Sequence, residues 1–241
     1  MSGNHNAAPK VDESEYRGLK IHAIPLLHEE CMARIEALGL PKNARVLDLG
    51  AGEGAFSRRL LDAGLQVSAA ELEPGRFRLD VPCQNINLNK DFQDKWTERF
   101  DLVVAIEILE HLNDPRHFIS QCLQTLKPNG YLLVTSPNTE SWLSRIRFLR
   151  DGHFLWFDES DYDGYGHVTP IFTWQMRQIC RELEVKVDVS STRQSSLRMR
   201  LGQNWIGKLK NKAFYLRVLC PLMKGQTDGE INIYLIRKSP A

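Results

Sequence analysis

Cysteine is scarce in this 241-residue chain, and what there is lies scattered. Cys31, Cys83, Cys122, Cys180 and Cys220 are odd in number, and none belongs to a Cys-x-x-Cys pair or a Cys/His cluster. This excludes a disulfide framework and a zinc site of ordinary spacing, and it suits reduced thiols in a cytoplasmic setting. Long hydrophobic runs are also lacking, and no stretch reaches the ~20 apolar residues that span a bilayer. The polar N-terminus has no apolar core segment, so no secretory signal is expected. Net charge is close to nil, at +1, which excludes polyanion binding driven by overall charge. No acidic cluster shows metal-ligand spacing, and no metal is expected. Internal repeats and low-complexity tracts are missing as well.

What is present is an alternation of strands and helices. Residues 1–16 are polar and small, and read as a flexible tail ahead of one domain over 17–241. A helix is predicted from Ile24 to Leu38, ended by Gly39 and Pro41. Arg45 to Leu49 reads as a short buried strand, Ala55 to Ala63 as a helix, and Gln66 to Ala70 as a second strand. Asn85 to Leu88 is a candidate third strand and Phe100 to Ile106 a fourth. A helix from His117 to Leu126 closes on Lys127-Pro128-Asn129-Gly130 and leads into a strand from Tyr131 to Thr135. A helix from Trp174 to Leu183 and strands over Val185–Val189 and Ile231–Arg237 follow. Such alternation predicts an α/β fold: a Rossmann-like, mostly parallel sheet with helices on both faces.

The first strand runs straight into Gly50-Ala51-Gly52-Glu53-Gly54. Glycines at a strand-to-helix turn let a ligand approach the backbone where side chains would block it. Glu71 stands 21 residues after Gly50, at the end of the next strand, where a carboxylate can accept hydrogen bonds from both ribose hydroxyls. Together they point to an adenosine-containing cofactor at the carboxyl edge of the sheet. Gly50-x-Gly52-x-x-Ala55 also satisfies the looser dinucleotide fingerprint, so a nicotinamide-dependent oxidoreductase competes on these residues alone. Asp48 argues against it. A carboxylate there suits a cationic group such as a methionyl ammonium and would repel a pyrophosphate.

With these residues in view, the sequence resembles the class I S-adenosylmethionine-dependent methyltransferases. It is most similar to the branch of ubiquinone-biosynthesis O-methyltransferases and bacterial small-molecule and glycan methyltransferases. The matching segments are Val46 to Gly54, Ala69 to Pro74, Phe100 to Leu112, Leu126 to Tyr131 and Thr135 to Asn138, and the segment Glu107 to Leu112 is the most specific. The resemblance implies seven strands, the last (Ile231–Ile236) antiparallel and paired at the sheet edge. It implies S-adenosyl-L-methionine as cofactor and roles by position. The loop Gly50, Ala51, Gly52 and Gly54 holds the methionyl part, together with Asp48. Glu71 holds the ribose and Leu72 packs on the adenine. Asn87 and Leu88 stand where the family reads the adenine amine, with Asn87 replacing an acid. Ala105 and Ile106 line the methionyl side.

A neutral hydroxyl acceptor gains from a base that takes its proton. His111, after the fourth strand, and His167, in an aromatic stretch containing Phe154, Trp156, Phe157, Tyr162 and Tyr165, are the two candidates. Residues 137–172 are expected to form an acceptor-side lid or loop. Aromatics there also fit a satellite core, and His111 also fits a helix cap.

Arg193 to Lys224 holds eight Lys or Arg and no acid, with Leu197, Leu201, Trp205, Leu209 and Leu216 at near-helical spacing. This reads as a basic amphipathic insertion, 193–224, that either covers the sheet or meets an anionic membrane surface. The second option suits a lipid-linked acceptor and a peripheral place at the inner membrane surface. Nucleic acid is disfavoured, because no Asn/Asp-Pro-Pro-aromatic motif follows the fourth strand. The expected function is methylation, O-directed, of a small-molecule, lipid-linked or glycan acceptor. A non-catalytic S-adenosylmethionine-binding partner protein is the alternative.

Overall fold

The computed structural model describes residues 14–192 and 224–240. The expected basic insertion therefore falls, except for Lys224, outside the described residues, as do the first thirteen. The chain opens with a small hairpin, β1 (Glu15–Tyr16) and β2 (Leu19–Lys20). It continues with α1 (Leu27–Ala37), β3 (Arg45–Leu49), α2 (Ala55–Asp62), β4 (Gln66–Glu71), β5 (Cys83–Asn85) and β6 (Phe100–Ala105). Then come α3 (Pro115–Thr125), β7 (Leu126–Pro137), α4 (Trp142–Asp151), α5 (Glu159–Tyr165), α6 (Thr173–Glu182), β8 (Lys186–Ser191) and β9 (Ile231–Arg237).

Seven strands form one sheet in the order β5-β4-β3-β6-β7-β9-β8. The pairs from β5 to β7 are parallel, and β9 runs antiparallel to both neighbours. The last strand is thus antiparallel as expected, but it is not at the edge. It inserts between β7 and β8, and β8 forms the border. An alternating apolar strand such as Ile231-Asn232-Ile233-Tyr234-Leu235-Ile236 is buried along nearly its whole length, which an edge position would not provide.

Two apolar clusters lie on the two faces. Leu47, Leu49, Val103, Ala105, Leu132 and Val134 pack with α3 and α6 residues such as Phe118, Ile119 and Met176. Val46, Val67, Leu102, Val104 and Leu133 pack with Leu27, Cys31 and Ile35 of α1 and with Phe56 and Leu60 of α2. Strand residues of alternating parity supply opposite faces, as a pleated strand requires. At the bottom of the sheet Asp101 accepts from the Arg45 amide (2.8 Å) and the Lys127 ammonium (2.9 Å), tying β3, β6 and β7 together.

Several boundaries differ from the sequence expectation for local reasons. Helix α3 starts at Pro115 because Asp114 caps it, accepting from the His117 amide at 2.9 Å, with proline in the first turn. The third strand of this sheet in chain order is Cys83–Asn85, at the sheet edge, not Asn85–Leu88. Its register against Ala69, Ala70 and Glu71 ends where β4 ends. Asn87 then forms an Asx turn, its side-chain oxygen accepting from the Asn89 amide at 3.0 Å. The stretch 137–172 carries two helices. Ser141 caps α4, and Asp158 and Asp161 form a reciprocal capping box on α5. No helix among the described residues is long and apolar enough to cross a membrane.

Candidate functional site

The carboxyl ends of β3, β4 and β6 converge on the glycine turn. Gly50, Gly52 and Gly54 all have positive φ (73°, 56° and 98°), a backbone that only glycine adopts without cost. At Gly50 a methyl would also lie 2.1 Å from Ile108 Cδ1, so the loop and the segment after β6 touch there. The loop is held in shape by β4: the Gly50 amide donates to the Ala70 carbonyl at 2.8 Å. The Gly52 and Leu72 amides both donate to the Glu71 carboxylate, at 2.7 and 2.9 Å. Glu71 is therefore fixed at its strand end as an acceptor, and Leu72 beside it is 58% exposed.

A small cavity of about 40 Å³ lies under the loop, lined by Lys20, His22, His28, Asp48, Gly50, Ala51, Gly52 and Ile106 among others. Asp48 is buried within it and accepts a 2.6 Å hydrogen bond from the Ser57 hydroxyl. Burial pushes its carboxyl up to about 6, against the pull of Ser57 and with a small push from Glu71. Among the predicted binding residues, Asp48, Gly50, Ala51, Gly52 and Ile106 line this cavity. The Ala105 methyl does not, being wholly buried in the core. Gly54 caps α2. Asn87 is exposed with its oxygen engaged in its own turn, and Leu88 packs against the core.

The two histidines meet. The rings of His111 and His167 lie 4.9 Å apart, edge to face. The Val168 and Thr169 amides donate to the Glu110 carbonyl (2.9 and 3.0 Å), and the Thr169 hydroxyl donates to the Leu112 carbonyl (2.5 Å). These bonds pin the segment after α5 onto the segment after β6. The His111 Nδ1 faces the Gly166 carbonyl at 3.2 Å, and the His167 Nδ1 faces the Trp156 carbonyl at 2.7 Å. A carbonyl only accepts, so it is a proton on each Nδ1 that makes these bonds, and in that neutral tautomer the lone pair lies on Nε2. Burial, and then His167, hold the His111 imidazole below its ordinary range.

Sequence reading missed the acids around this pair. Glu110 is wholly buried, and neither of its carboxylate oxygens has a hydrogen-bond partner. Burial first, and then Glu107, push it well above the carboxylate range. Glu107 sits at φ 55°; it accepts from the Thr135 hydroxyl at 2.9 Å, and burial raises it to about 7. One ligand-type atom from each of Glu110, His111 and His167 lies within 4.8 Å of the others. No spacing rule could find this set, since His167 reaches it only through the fold. The one signal was a carboxylate set in the apolar run Ile108-Leu109-Glu110-His111-Leu112.

His167 also lines a larger cavity of about 530 Å³, formed with Phe148, Phe154, Phe157, Tyr162 and Asp158. Phe148 and Phe154 stack at 4.6 Å, and Phe154 meets Phe172 edge to face. Arg147 of α4 pairs at 2.5 Å with Asp158, which lines the cavity.

Comparison with known proteins bears on the family and the fold. A family model described as a methyltransferase domain matches residues 24–182. A ubiquinone biosynthesis O-methyltransferase of Xanthomonas axonopodis pv. citri is 33% identical over 49% of this chain and 52% of its own length. A protein of the same description from Coxiella burnetii is 29% identical over 49% of this chain and 54% of its own. The chain thus spans about half the length of the curated relatives it matches. Among solved structures, a SAM-dependent methyltransferase of Archaeoglobus fulgidus superposes with a TM-score of 0.56 at 17% identity, over 88% of this chain and 94% of its own.

Proposed function

Since this chain belongs to the methyltransferase-domain family, in its class I S-adenosylmethionine-dependent form, we propose that it methylates an oxygen of a small acceptor held in the aromatic cavity. The residues under the glycine loop fit the cofactor. Glycine is needed at Gly50 for the turn, a buried carboxylate at Asp48 faces the cavity, and Glu71 presents a carboxylate at the strand end. When bound, S-adenosylmethionine supplies a methyl group on a positively charged sulfur. Asp48 would pair with the ammonium of its amino-acid end, Glu71 would accept from the ribose hydroxyls, and the exposed Leu72 would lie on the base.

The observation that carries the acceptor side is the His111–His167 pair, each Nδ1 set against a backbone carbonyl, beside an aromatic cavity. The cavity orients a flat or apolar acceptor, and a histidine Nε2 at its wall takes the hydroxyl proton as the oxygen becomes a nucleophile. His167 lines the cavity directly and is the stronger candidate for this role. Small-molecule acceptors are the simplest occupants. A lipid-linked or glycan acceptor extends from the same cavity, and contact of residues 193–224 with an anionic membrane would serve the former. The test is methyl transfer from labelled S-adenosylmethionine to a panel of phenolic, lipid-linked and glycan hydroxyl acceptors. Transfer that falls in His167→Gln, with cofactor affinity unchanged, supports the reading. Transfer to amines alone would overturn it.

A second reading is favoured by the buried carboxylate of Glu110, which has no hydrogen-bond partner and lies 4.0 Å from His111 Nε2. Two histidine Nε2 atoms and a carboxylate form a ligand set for a divalent cation, and the backbone carbonyls on each Nδ1 are the orienting partners such ligands use. Glu110, His111 and His167 would then hold the ion, which would supply positive charge to an acceptor oxygen. Dialysis against a chelator decides between the two. Transfer that is lost and then restored by magnesium, manganese or zinc favours the ion. Transfer that persists in metal-free protein favours the histidine base.

A further inference from the structure

The aromatic cavity beside His167 is acidic. Among the described residues that line it are the acids Asp158, Glu159 and Asp163, and no Lys or Arg. Asp158 is already engaged: it pairs with Arg147, accepts from the Ser160 hydroxyl at 2.6 Å and caps α5. The other cations of α4 are held elsewhere. Arg150 pairs with Asp151, and Arg145 donates to the Glu140 and Lys224 carbonyls. Glu159 and Asp163 are left without an ion pair among the described residues.

Helix energetics explain one of these two acids and not the other. Glu159, in the first turn of α5, suits the positive end of the helix. Asp163 stands four residues later, in the last turn, where the dipole disfavours a negative charge. The same spacing sets two like charges on one helix face. Tyr162, three residues after Glu159, belongs to that face too, and all three residues line the cavity. Local stability gives no reason for Asp163. An opposite charge brought into the cavity does.

The remaining walls are of the kind that takes a cation. Phe148 and Phe154 stack at 4.6 Å, and Phe157 lies 5.8 Å from the His167 ring. The faces of such rings carry negative potential and attract an ammonium. Phe148 and Tyr162 are 46% and 60% exposed, so the rim is open to a ligand from solvent. The volume of about 530 Å³ suits a small molecule. Two exposed carboxylates alone would hold a cation weakly, because water screens them. Ring faces beside them exclude part of that water and make the contact selective.

Resting on the reading of this cavity as the acceptor pocket, we infer that the acceptor carries a positively charged nitrogen as well as its hydroxyl. The cation sits between the aromatic rings and the Glu159 and Asp163 carboxylates, and the hydroxyl reaches His167 in the same cavity. Acceptors bearing a phosphate or carboxylate are repelled by the same acids.

The test is calorimetric titration of the full chain, with S-adenosylhomocysteine present, against three phenols of similar size. Tyramine carries an ammonium, para-propylphenol is its neutral counterpart, and para-hydroxyphenylpropionate carries a carboxylate. Tyramine is expected to bind about tenfold tighter than para-propylphenol, and the anion more weakly than either. The double variant Glu159→Gln/Asp163→Asn should bring tyramine down about tenfold, to the level of para-propylphenol, whose own binding stays unchanged. Tyr162→Leu should weaken tyramine about two- to fivefold more than the neutral phenol. Salt should shrink the preference of the parent for tyramine. The double variant exchanges charged for neutral side chains on an exposed helix face, so its melting temperature should stay close to the parent's, which separates lost recognition from lost structure. Equal binding of the three phenols, tighter binding of the anion, or a preference for tyramine that survives in the double variant overturns the cationic assignment and leaves the acceptor pocket standing. Binding of none of the three, or binding untouched by Phe154→Ala, defeats the acceptor-pocket reading itself, and this inference with it.

Discussion

Replacing Asp48 by asparagine is expected to raise stability while lowering affinity for the cofactor. The carboxyl is buried and accepts one hydrogen bond from Ser57, and burial dominates the shift of its titration. Its ordinary value near 3.8 rises to about 6 in the fold. The fold thus favours the protonated form. That contribution is intact below about pH 4 and is lost as the pH rises through 6. The shift corresponds to about 3 kcal/mol at most, at 1.36 kcal/mol per pH unit. Asparagine keeps an oxygen for the Ser57 hydroxyl and carries no charge. At pH 8 the variant should melt several degrees higher than the parent, at the ~2–4 °C per kcal/mol expected for a chain of this size. At pH 4 the two should melt together. Affinity for S-adenosylhomocysteine should fall about ten- to hundredfold, because the ammonium loses its only buried counter-charge. Differential scanning calorimetry across pH 4–8, with titration of the ligand at pH 7.5, measures both quantities. A variant that melts lower than the parent at pH 8, or that binds the ligand as well, refutes the reasoning.

Other outcomes follow from the same geometry. Gly50→Ala places a methyl against Ile108 at positive φ. It should cost about 2–4 kcal/mol from backbone strain and overpacking, and Ile108→Ala should recover part of that loss in a chemical-denaturation double-mutant cycle. His167→Gln should lower methyl transfer about 10²- to 10⁴-fold if the ring acts as base, with S-adenosylhomocysteine binding unchanged by calorimetry. Because His111 is held below its ordinary range, any step that needs its free Nε2 should gain rate as pH rises, with a midpoint under 6.5. Glu110→Gln, which replaces a buried carboxyl raised by burial with a neutral group of the same shape, should leave metal-free thermal stability at pH 7 within about 1 kcal/mol. The same change should abolish any metal-dependent rise in melting temperature.

The parts of the fold legible in the sequence are those set by local pattern. Arg45–Leu49 and Ile231–Arg237 are apolar runs bounded by polar or turn residues, and both strands begin and end as expected. The glycine turn was legible because its φ values admit only one residue type comfortably. What local pattern could not supply was pairing. The place of β9 between β7 and β8 depends on which strand edge remains open, not on its own residues. The end of β5 depends on where β4 stops, and Asn87 was misread as strand because its Asx turn competes with extended structure through a single side-chain bond. Helices α4 and α5 were hidden because none of their apolar residues enters either core cluster, which leaves no clear helical period to read, although the caps Ser141 and Asp158 were present in the sequence. At the candidate site, Gly50, Asp48 and Glu71 were found from spacing along two adjacent strands. His111 and His167 were found as residue types. Their contact, the burial of Glu110 and the place of Lys20, His22 and His28 beside the glycine loop arise only when distant segments fold together.

The most direct measurement is calorimetric titration of the full chain with S-adenosylhomocysteine, with NAD as a parallel ligand and Glu71→Ala as control. The account predicts that S-adenosylhomocysteine binds, that NAD does not, and that Glu71→Ala weakens the binding at least tenfold by removing the ribose acceptor and freeing the Gly52 amide. Binding of NAD in place of S-adenosylhomocysteine, or S-adenosylhomocysteine affinity unchanged in Glu71→Ala, would contradict it.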